Sequence, residues 1–182
     1  MKRKNAGFTL LELMVILAII AIGATLAIPS FDENRVRAKL KGAGRDLYST
    51  MQRARINALR DHSSWAIQFE PDSGRYHLIR DPGADGDWGT SGDNEIEKTV
   101  VLSEYGKISF GTGSAGPRPG ASDPGDGCSF NSDRVVFNSD GTTSINGTVY
   151  VKNERGYCFA VDALGATGRL KAWAEWGNGW ED

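Results

Sequence analysis

A group of carboxylates in residues 81–97, DPGADGDWGTSGDNEIE, brings together side chains that could do chemistry. Carboxylate oxygens are ligands that Ca²⁺ prefers. The spacing lacks the full twelve-residue calcium pattern, and no flanking helices are expected, so the alternative is a polar hairpin loop. The candidate calcium ligands are Asp81, Asp85, Asp87, Asp93 and Glu95.

Two cysteines, Cys128 and Cys158, are the next reactive pair. They lie thirty residues apart, which is not a metal-ligand spacing. In an oxidising compartment they would form one disulfide. The alternative is a pair of small buried thiols, and the sequence leaves both open.

No catalytic signature accompanies the remaining reactive residue types. The two histidines, His62 and His77, occur without an HExxH motif, a Gly-x-Ser-x-Gly motif or a Cys–His–acid set. No glycine loop that could hold a phosphate follows a predicted strand. We therefore predict that the protein is not an enzyme, and calcium at residues 81–97 is the only cofactor considered.

One carboxylate, Glu12, is the only charge in the apolar segment from Phe8 to Ile28. A helix of this length would cross about 30 Å, the thickness of a hydrocarbon core. The basic residues 2–4 favour a cytoplasmic N-terminus and an exported C-terminus. A signal peptide would need a small-residue cleavage site after the apolar core, and a simple anchor would not explain a charge inside the membrane.

The stretch Gly7-Phe8-Thr9-Leu10-Leu11-Glu12 resembles the processing site of type IV pilins and pseudopilins. The resemblance covers residues 1–31, including AIPSF at the end of the apolar run. It implies that a prepilin peptidase cuts between Gly7 and Phe8 and methylates the new amine of Phe8. Glu12 then becomes the fifth mature residue, where the family keeps a glutamate.

An ion pair between Glu12 and a Phe8 amine explains why the carboxylate is kept. Both groups are costly in an apolar medium, and each lowers the cost of the other when they meet. We expect Glu12 of one subunit to pair with the Phe8 amine of its neighbour. Such a pair fixes axial register more than it adds stability, and other pilins are therefore the expected partners of this helix.

A second helical segment follows Pro29, which is expected to end or kink the apolar helix. Gly42 and Gly44 interrupt this segment, and each costs up to about 1 kcal/mol relative to Ala. We expect one long, bent helix over residues 8–60. Its second half is amphipathic, with an apolar stripe of Val36, Leu40, Ala43, Leu47, Met51, Ala54 and Ala58.

Charge is divided unevenly along the chain. Residues 32–60 carry eight Lys and Arg against three acidic residues, and residues 61–182 carry ten against nineteen. The basic side chains form either a solvated helix face or contacts with acidic neighbours or lipid headgroups. The acidic C-terminal part argues against broad nucleic-acid binding, because phosphate contacts need a basic surface.

The hydrophobic period changes from helix to strand after residue 60. SSWAIQFE and RYHLIR flank a turn, and further strands alternate with Gly-rich turns up to GRLKAW. The predicted fold is α+β and type IV pilin-like, with a long N-terminal α-helix packed on an antiparallel β-sandwich-like head. Its parts are a leader (1–7), a helix (8–60, with a membrane-spanning or filament half at 8–28 and a stem at 29–60) and a head (61–182).

The C-terminal half resembles the GspH/FimT group of minor pilins and pseudopilins at Phe137, Gly141, Val149, Val161, Gly168 and Arg169. This implies a single-pass inner-membrane subunit with a periplasmic head, found in a filament or at its tip after assembly. Its role would be to help initiate or prime assembly of a type IV pilus. The alternative is the pseudopilus of type II secretion. The expected partners are other pilins, the prepilin peptidase, the inner membrane and the assembly platform.

DNA binding is a further alternative. FimT-type relatives bind DNA through a basic C-terminal Gly-Arg-x-Arg element, and this chain has Gly168-Arg169-Leu170-Lys171, with Lys171 in place of the second Arg. Trp173, Trp176 and Trp180 could stack on bases. Otherwise this element is a closing strand with one ion-pairing Arg and partly buried tryptophans.

Overall fold

The computed structural model describes residues 8–89 and 92–181, with only the backbone of residues 24–31. Helix α1 runs Leu10–Asp61, so the chain is still helical at Pro29 and the predicted end there is not observed. The chain divides into one unit ending at Val36 and a second of Arg37–Asp182. Among the described residues, no helix is both long and apolar enough to qualify as a membrane span.

The part of α1 in the second unit buries the predicted apolar stripe. Six of its members lie at 0% exposure: Leu40, Ala43, Leu47, Met51, Ala54 and Ala58. Their spacing of three and four residues puts them on one helix face, which is the face that packs into the core. The prediction of an amphipathic stem is confirmed for these positions.

In the part of the chain that the structure describes, nine strands follow the helix and form two antiparallel sheets. The four-stranded sheet has the order β3-β2-β1-β5, and the five-stranded sheet has the order β4-β6-β7-β8-β9. The strands are β1 (Trp65–Glu70), β2 (Arg75–Asp81), β3 (Glu95–Val101), β4 (Ile108–Phe110), β5 (Arg134–Phe137), β6 (Gly147–Asn153), β7 (Cys158–Leu164), β8 (Arg169–Glu175) and β9 (Trp180–Glu181). Short 3-10 helices cover Leu102–Tyr105 and Asn131–Asp133.

The predicted first hairpin is confirmed, since β1 pairs with β2 from Glu70↔Arg75 to Ala66↔Ile79. Residues 133–153 contain the two strands β5 and β6, which belong to different sheets. β5 pairs with β1, whereas β6 pairs with β4 and β7. The turn-rich connection between them therefore carries the chain from one sheet to the other.

Aromatic rings join the two sheets in one hydrophobic core. Phe69 on β1 lies 6.1 Å from Phe110 on β4 and 5.9 Å from Phe130, measured between ring centroids. Leu47 of the helix and Val161 of β7 belong to the same cluster of buried side chains. The helix and both antiparallel sheets thus share one core, which confirms the α+β prediction.

A buried carboxylate ties the long polar loop at 111–127 to the five-stranded sheet. Asp162 on β7 is 5% exposed. Its Oδ1 accepts hydrogen bonds from Arg118 Nε at 2.7 Å and Thr148 Oγ1 at 2.8 Å, and its Oδ2 accepts one from Trp173 Nε1 at 2.7 Å. The loop has few apolar residues, so this ion pair and its hydrogen bonds take the place of a hydrophobic contact.

The two stem glycines have different surroundings. A Cβ on Gly44 would lie 2.3 Å from the ring of Phe159 on β7, whereas a Cβ on Gly42 would lie 3.7 Å from Tyr105, an ordinary contact. Glycine at position 44 therefore permits the close approach of helix and sheet. At position 42 the structure shows no such need.

We expect Gly44→Ala to lower the free energy of unfolding by about 1–3 kcal/mol, because the added methyl group overpacks the core against Phe159. Gly42→Ala is the matched control. It should raise the free energy of unfolding by about 0.5–1 kcal/mol through helix propensity alone. Urea unfolding of the full chain in detergent micelles, followed by tryptophan fluorescence, measures both. A Gly44→Ala variant at least as stable as Gly42→Ala would contradict the close contact.

Asp162→Ala should cost about 3–5 kcal/mol of unfolding free energy, because it leaves the largely buried Arg118 without its counter-charge. The exposed Asp72 offers a control, since Asp72→Ala should change stability by less than about 0.5 kcal/mol. The same urea titration serves for both variants. Equal stability of the two would show that the Asp162 network holds nothing in place.

Candidate functional site

The candidate functional site at the N-terminus is built on the first turn of α1. Thr9 precedes the helix, and its Oγ1 accepts a hydrogen bond from the backbone N–H of Glu12 at 3.2 Å. This is the bond of an N-cap, which satisfies one of the free N–H groups at a helix start. Thr9-x-x-Glu12 is also the sequence of a capping box. The sequence itself therefore contains a signal for this helix start.

Phe8 and Glu12 lie within one turn of each other at this helix start. Phe8 is 77% exposed, and the Glu12 side chain is also exposed. A carboxylate in the first turn is favoured by the positive end of the helix dipole. Gly7 lies outside the described residues, so the predicted cut between Gly7 and Phe8 and the methylation of Phe8 stay predictions.

A continuous run of large apolar side chains follows and faces outward. Their exposed fractions range from 42% at Ile16 to 77% at Phe8. An exposed apolar surface of this kind marks an interaction site for protein or lipid. Its members are Phe8, Leu10, Leu11, Leu13, Met14, Val15, Ile16, Leu17, Ile19, Ile20 and Ile22.

The basic side chains of the stem divide into two kinds. Arg53 forms an ion pair with Glu97, and Arg37 donates a hydrogen bond to the Tyr157 hydroxyl at 3.1 Å. Others, such as Lys41 and Arg45, are exposed. The stem is thus a solvated face at some positions and a partner of the β head at others.

The carboxylates proposed as calcium ligands bind mainly to nearby backbone and to arginine. Asp81, Asp85 and Asp87 each accept a hydrogen bond from the backbone N–H two residues ahead. Asp93 accepts one from Ala84 N at 3.0 Å, and Glu95 pairs with Arg80 at 3.1 Å. Across residues 8–89 and 92–181, no three His, Cys, Asp or Glu side chains are grouped so that they could hold a metal ion. These are bonds expected of a polar loop, and calcium binding stays a prediction.

Cys128 and Cys158 are both buried free thiols. Cys128 belongs to the main core, whereas Cys158 lies in a second cluster with Tyr150 and Ala160. Burial raises the pKa of the Cys158 thiol to about 12 and raises the pKa of Cys128 as well. Of the two alternatives, the structure shows the pair of buried thiols.

The basic element at Arg169 and Lys171 lies on β8. Lys171 Nζ is 3.8 Å from the ring centroid of Trp173, and the Arg118 guanidinium is 5.5 Å from the same ring. Trp176 packs edge-on against Tyr157, and Trp180 packs edge-on against Tyr150. The three tryptophans are partly buried and already have partners within the chain, which leaves DNA binding by this element a prediction.

The histidines have structural surroundings. His77 lies on β2 between Thr99 and Glu70, with ring nitrogens 2.8 Å from Thr99 Oγ1 and 3.2 Å from Glu70 Oε1. His62 directly follows α1 with a φ of 51°, the left-handed conformation common just after a helix. Both arrangements are those of packing and turn residues.

Comparisons with known proteins match two regions of the chain, the N-terminal segment and the part that contains the stem and the head. The prokaryotic N-terminal methylation motif matches residues 2–28. The type IV major pilin protein PilA of Myxococcus xanthus is 38% identical over 88 residues, or 46% of this chain and 40% of PilA. This chain therefore spans less than half the length of that relative. The type IV major fimbrial protein FimA of Dichelobacter nodosus is 31% identical over 121 residues, which are 65% of this chain and 74% of FimA.

Two solved structures share the fold. The minor pseudopilin EpsH from the type 2 secretion system of Vibrio cholerae has a TM-score of 0.51, 14% identity, and coverage of 75% of this chain and 97% of its own. The type IV minor pilin FimU of Pseudomonas aeruginosa has a TM-score of 0.53, 14% identity, and coverage of 80% and 95%.

The family of the chain is shown by the match over the larger of these two regions. The model described as type II transport protein GspH matches residues 43–165, which cover the buried half of α1 and the strands up to β7. This match spans more than half of the sequence, and the chain therefore belongs to the GspH family of pilin-like proteins.

Proposed function

We propose that this protein is a minor pilin, a structural subunit that helps to initiate or prime assembly of an inner-membrane-anchored type IV pilus. The observation that carries the proposal is the exposed apolar surface from Phe8 through the first turns of α1 to Ile22. Such a surface needs an apolar environment, which lipid supplies before assembly and neighbouring helices supply afterwards. The methylation motif at residues 2–28 covers the same segment.

Processing would prepare the subunit for assembly. A prepilin peptidase would remove residues 1–7 by cutting between Gly7 and Phe8, and Phe8 would then carry an N-methylated amine. Residues 8–28 would anchor the subunit as a single span, with the head in the periplasm, until the assembly platform passes it to the filament. Residues 2–4 are basic, which favours this orientation.

The type II secretion pseudopilus is the second candidate. Two observations favour it, namely the match to the family described as type II transport protein GspH and the fold shared with the minor pseudopilin EpsH. Deleting the gene in its own host separates the two candidates. Loss of surface pili seen by electron microscopy, with normal protein secretion, supports the pilus. Loss of secretion with normal piliation supports the pseudopilus.

The assembly role of Glu12 is tested by Glu12→Ala in the host. We expect the variant to enter the membrane and be processed normally. Its assembly should fall at least about tenfold, because the Phe8 amine of a neighbouring subunit, once buried in the filament, would lack its counter-charge. Membrane fractionation measures insertion, and the amount of the subunit in sheared filaments measures assembly.

Thr9→Ala is the matched control, since it removes the N-cap bond at the same helix start and keeps the carboxylate. Losing the cap costs only about 1 kcal/mol of helix stability, so this variant should assemble nearly as well as the unmodified protein. Normal assembly of Glu12→Ala, or an equal defect in both variants, would contradict the ion-pair proposal.

A further inference from the structure

A basic cleft lies at one edge of the five-stranded sheet. It has a volume of about 650 Å³ and is formed by three segments. They are the chain around the start of the edge strand β4 (107–109), the end of β6 with the turn after it (152–156), and the loop at 113–114. We call it the Lys152 cleft.

The charge of the Lys152 cleft is opposite to that of the head around it. Lys107, Lys152 and Arg155 line it together with one carboxylate, Glu154. Residues 61–182 as a whole carry ten Lys and Arg against nineteen acidic residues. Lys152 forms no ion pair within the described residues. A local excess of positive charge in a concave site attracts anions.

A buried amide fixes the turn after β6. Asn153 is 5% exposed, and its Oδ1 accepts hydrogen bonds from the backbone N–H groups of Arg155 and Tyr157. Asn153 pairs with Ile108 of the main core, whereas Lys152 pairs with Cys158 of the second cluster, so the two side chains lie on opposite faces of β6. Asn153 therefore shapes the turn beside the cleft, and Lys152 is the residue that a ligand in the cleft would meet.

Two glycines allow the wall of the cleft to close. Gly113 and Gly156 have φ values of 69° and 81°, and Ser114 N donates a hydrogen bond to Gly156 O at 2.9 Å. A Cβ on Gly156 would lie 1.8 Å from Ser114 Oγ. The loop and the turn are therefore fitted to each other at this point, which makes the cleft a built feature of the fold.

We propose that the Lys152 cleft binds the carboxylates of an acidic polypeptide segment. One of its lysines already holds a carboxylate, since Lys107 Nζ lies 2.6 Å from Glu154 Oε2. The position beside an edge strand and an exposed turn is open to an approaching chain. A bound carboxylate would receive a charge-assisted hydrogen bond from Lys152. This inference does not depend on the place of the protein in a filament.

Fluorescence anisotropy of a fluorescein-labelled tetraglutamate peptide tests the proposal on the full chain in detergent micelles. We expect saturable binding that Lys152→Gln weakens by about tenfold or more, as loss of a charge-assisted hydrogen bond predicts. Ser109→Glu is a second variant, because it adds a negative charge at the exposed position of β4 that pairs with Lys152, and it should also abolish binding.

Lys41→Gln is the matched control, because it removes the same charge from an exposed helix position outside the cleft and should change the affinity by less than about twofold. Three results would overturn the proposal. They are no saturable binding, equal weakening by Lys41→Gln and Lys152→Gln, and displacement of the peptide by inorganic phosphate at lower concentrations than by acetate. The last would assign the cleft to phosphate.

Discussion

The close contact between Gly44 of α1 and the ring of Phe159 on β7 is the constraint on which the packing of the second unit depends. A side chain at position 44 would keep the helix away from the five-stranded sheet. With glycine there, the helix stripe reaches the same buried cluster as both sheets, and Leu47 and Phe69 become parts of one core. Interiors packed at this density tolerate little added volume. The identity of one helix residue therefore fixes how far apart the layers lie.

The core is supplemented by polar anchors where apolar residues are scarce. The loop at 111–127 contributes little to the hydrophobic cluster, and the buried Asp162 holds it through Arg118 instead. Another ion pair, Lys98 with Asp46, links β3 to the helix at 3.1 Å. Such pairs are directional, so they set the position of an element rather than only its burial.

Local patterns in the sequence predicted much of this structure. The stripe from Leu40 to Ala58 and the hairpin at 64–80 follow from side-chain periodicity, which neighbouring residues determine. The assignment of β5 and β6 to different sheets could not be predicted this way, because it depends on partners distant in the chain. The role of Gly44 was also missed, since helix propensity alone describes glycine only as a cost. At the N-terminus the motif from Gly7 to Glu12 was visible, whereas the Asp162 network and the Lys152 cleft depend on long-range contacts.

The burial of both cysteines has a practical consequence. Only a thiolate reacts readily with alkylating reagents, and burial holds Cys128 and Cys158 in the thiol form. The folded chain is therefore expected to react only slowly with maleimides and similar labels. A cysteine introduced on the surface would be the one position that such a reagent modifies, so the natural sequence already provides the background for site-specific crosslinking and spectroscopic probes.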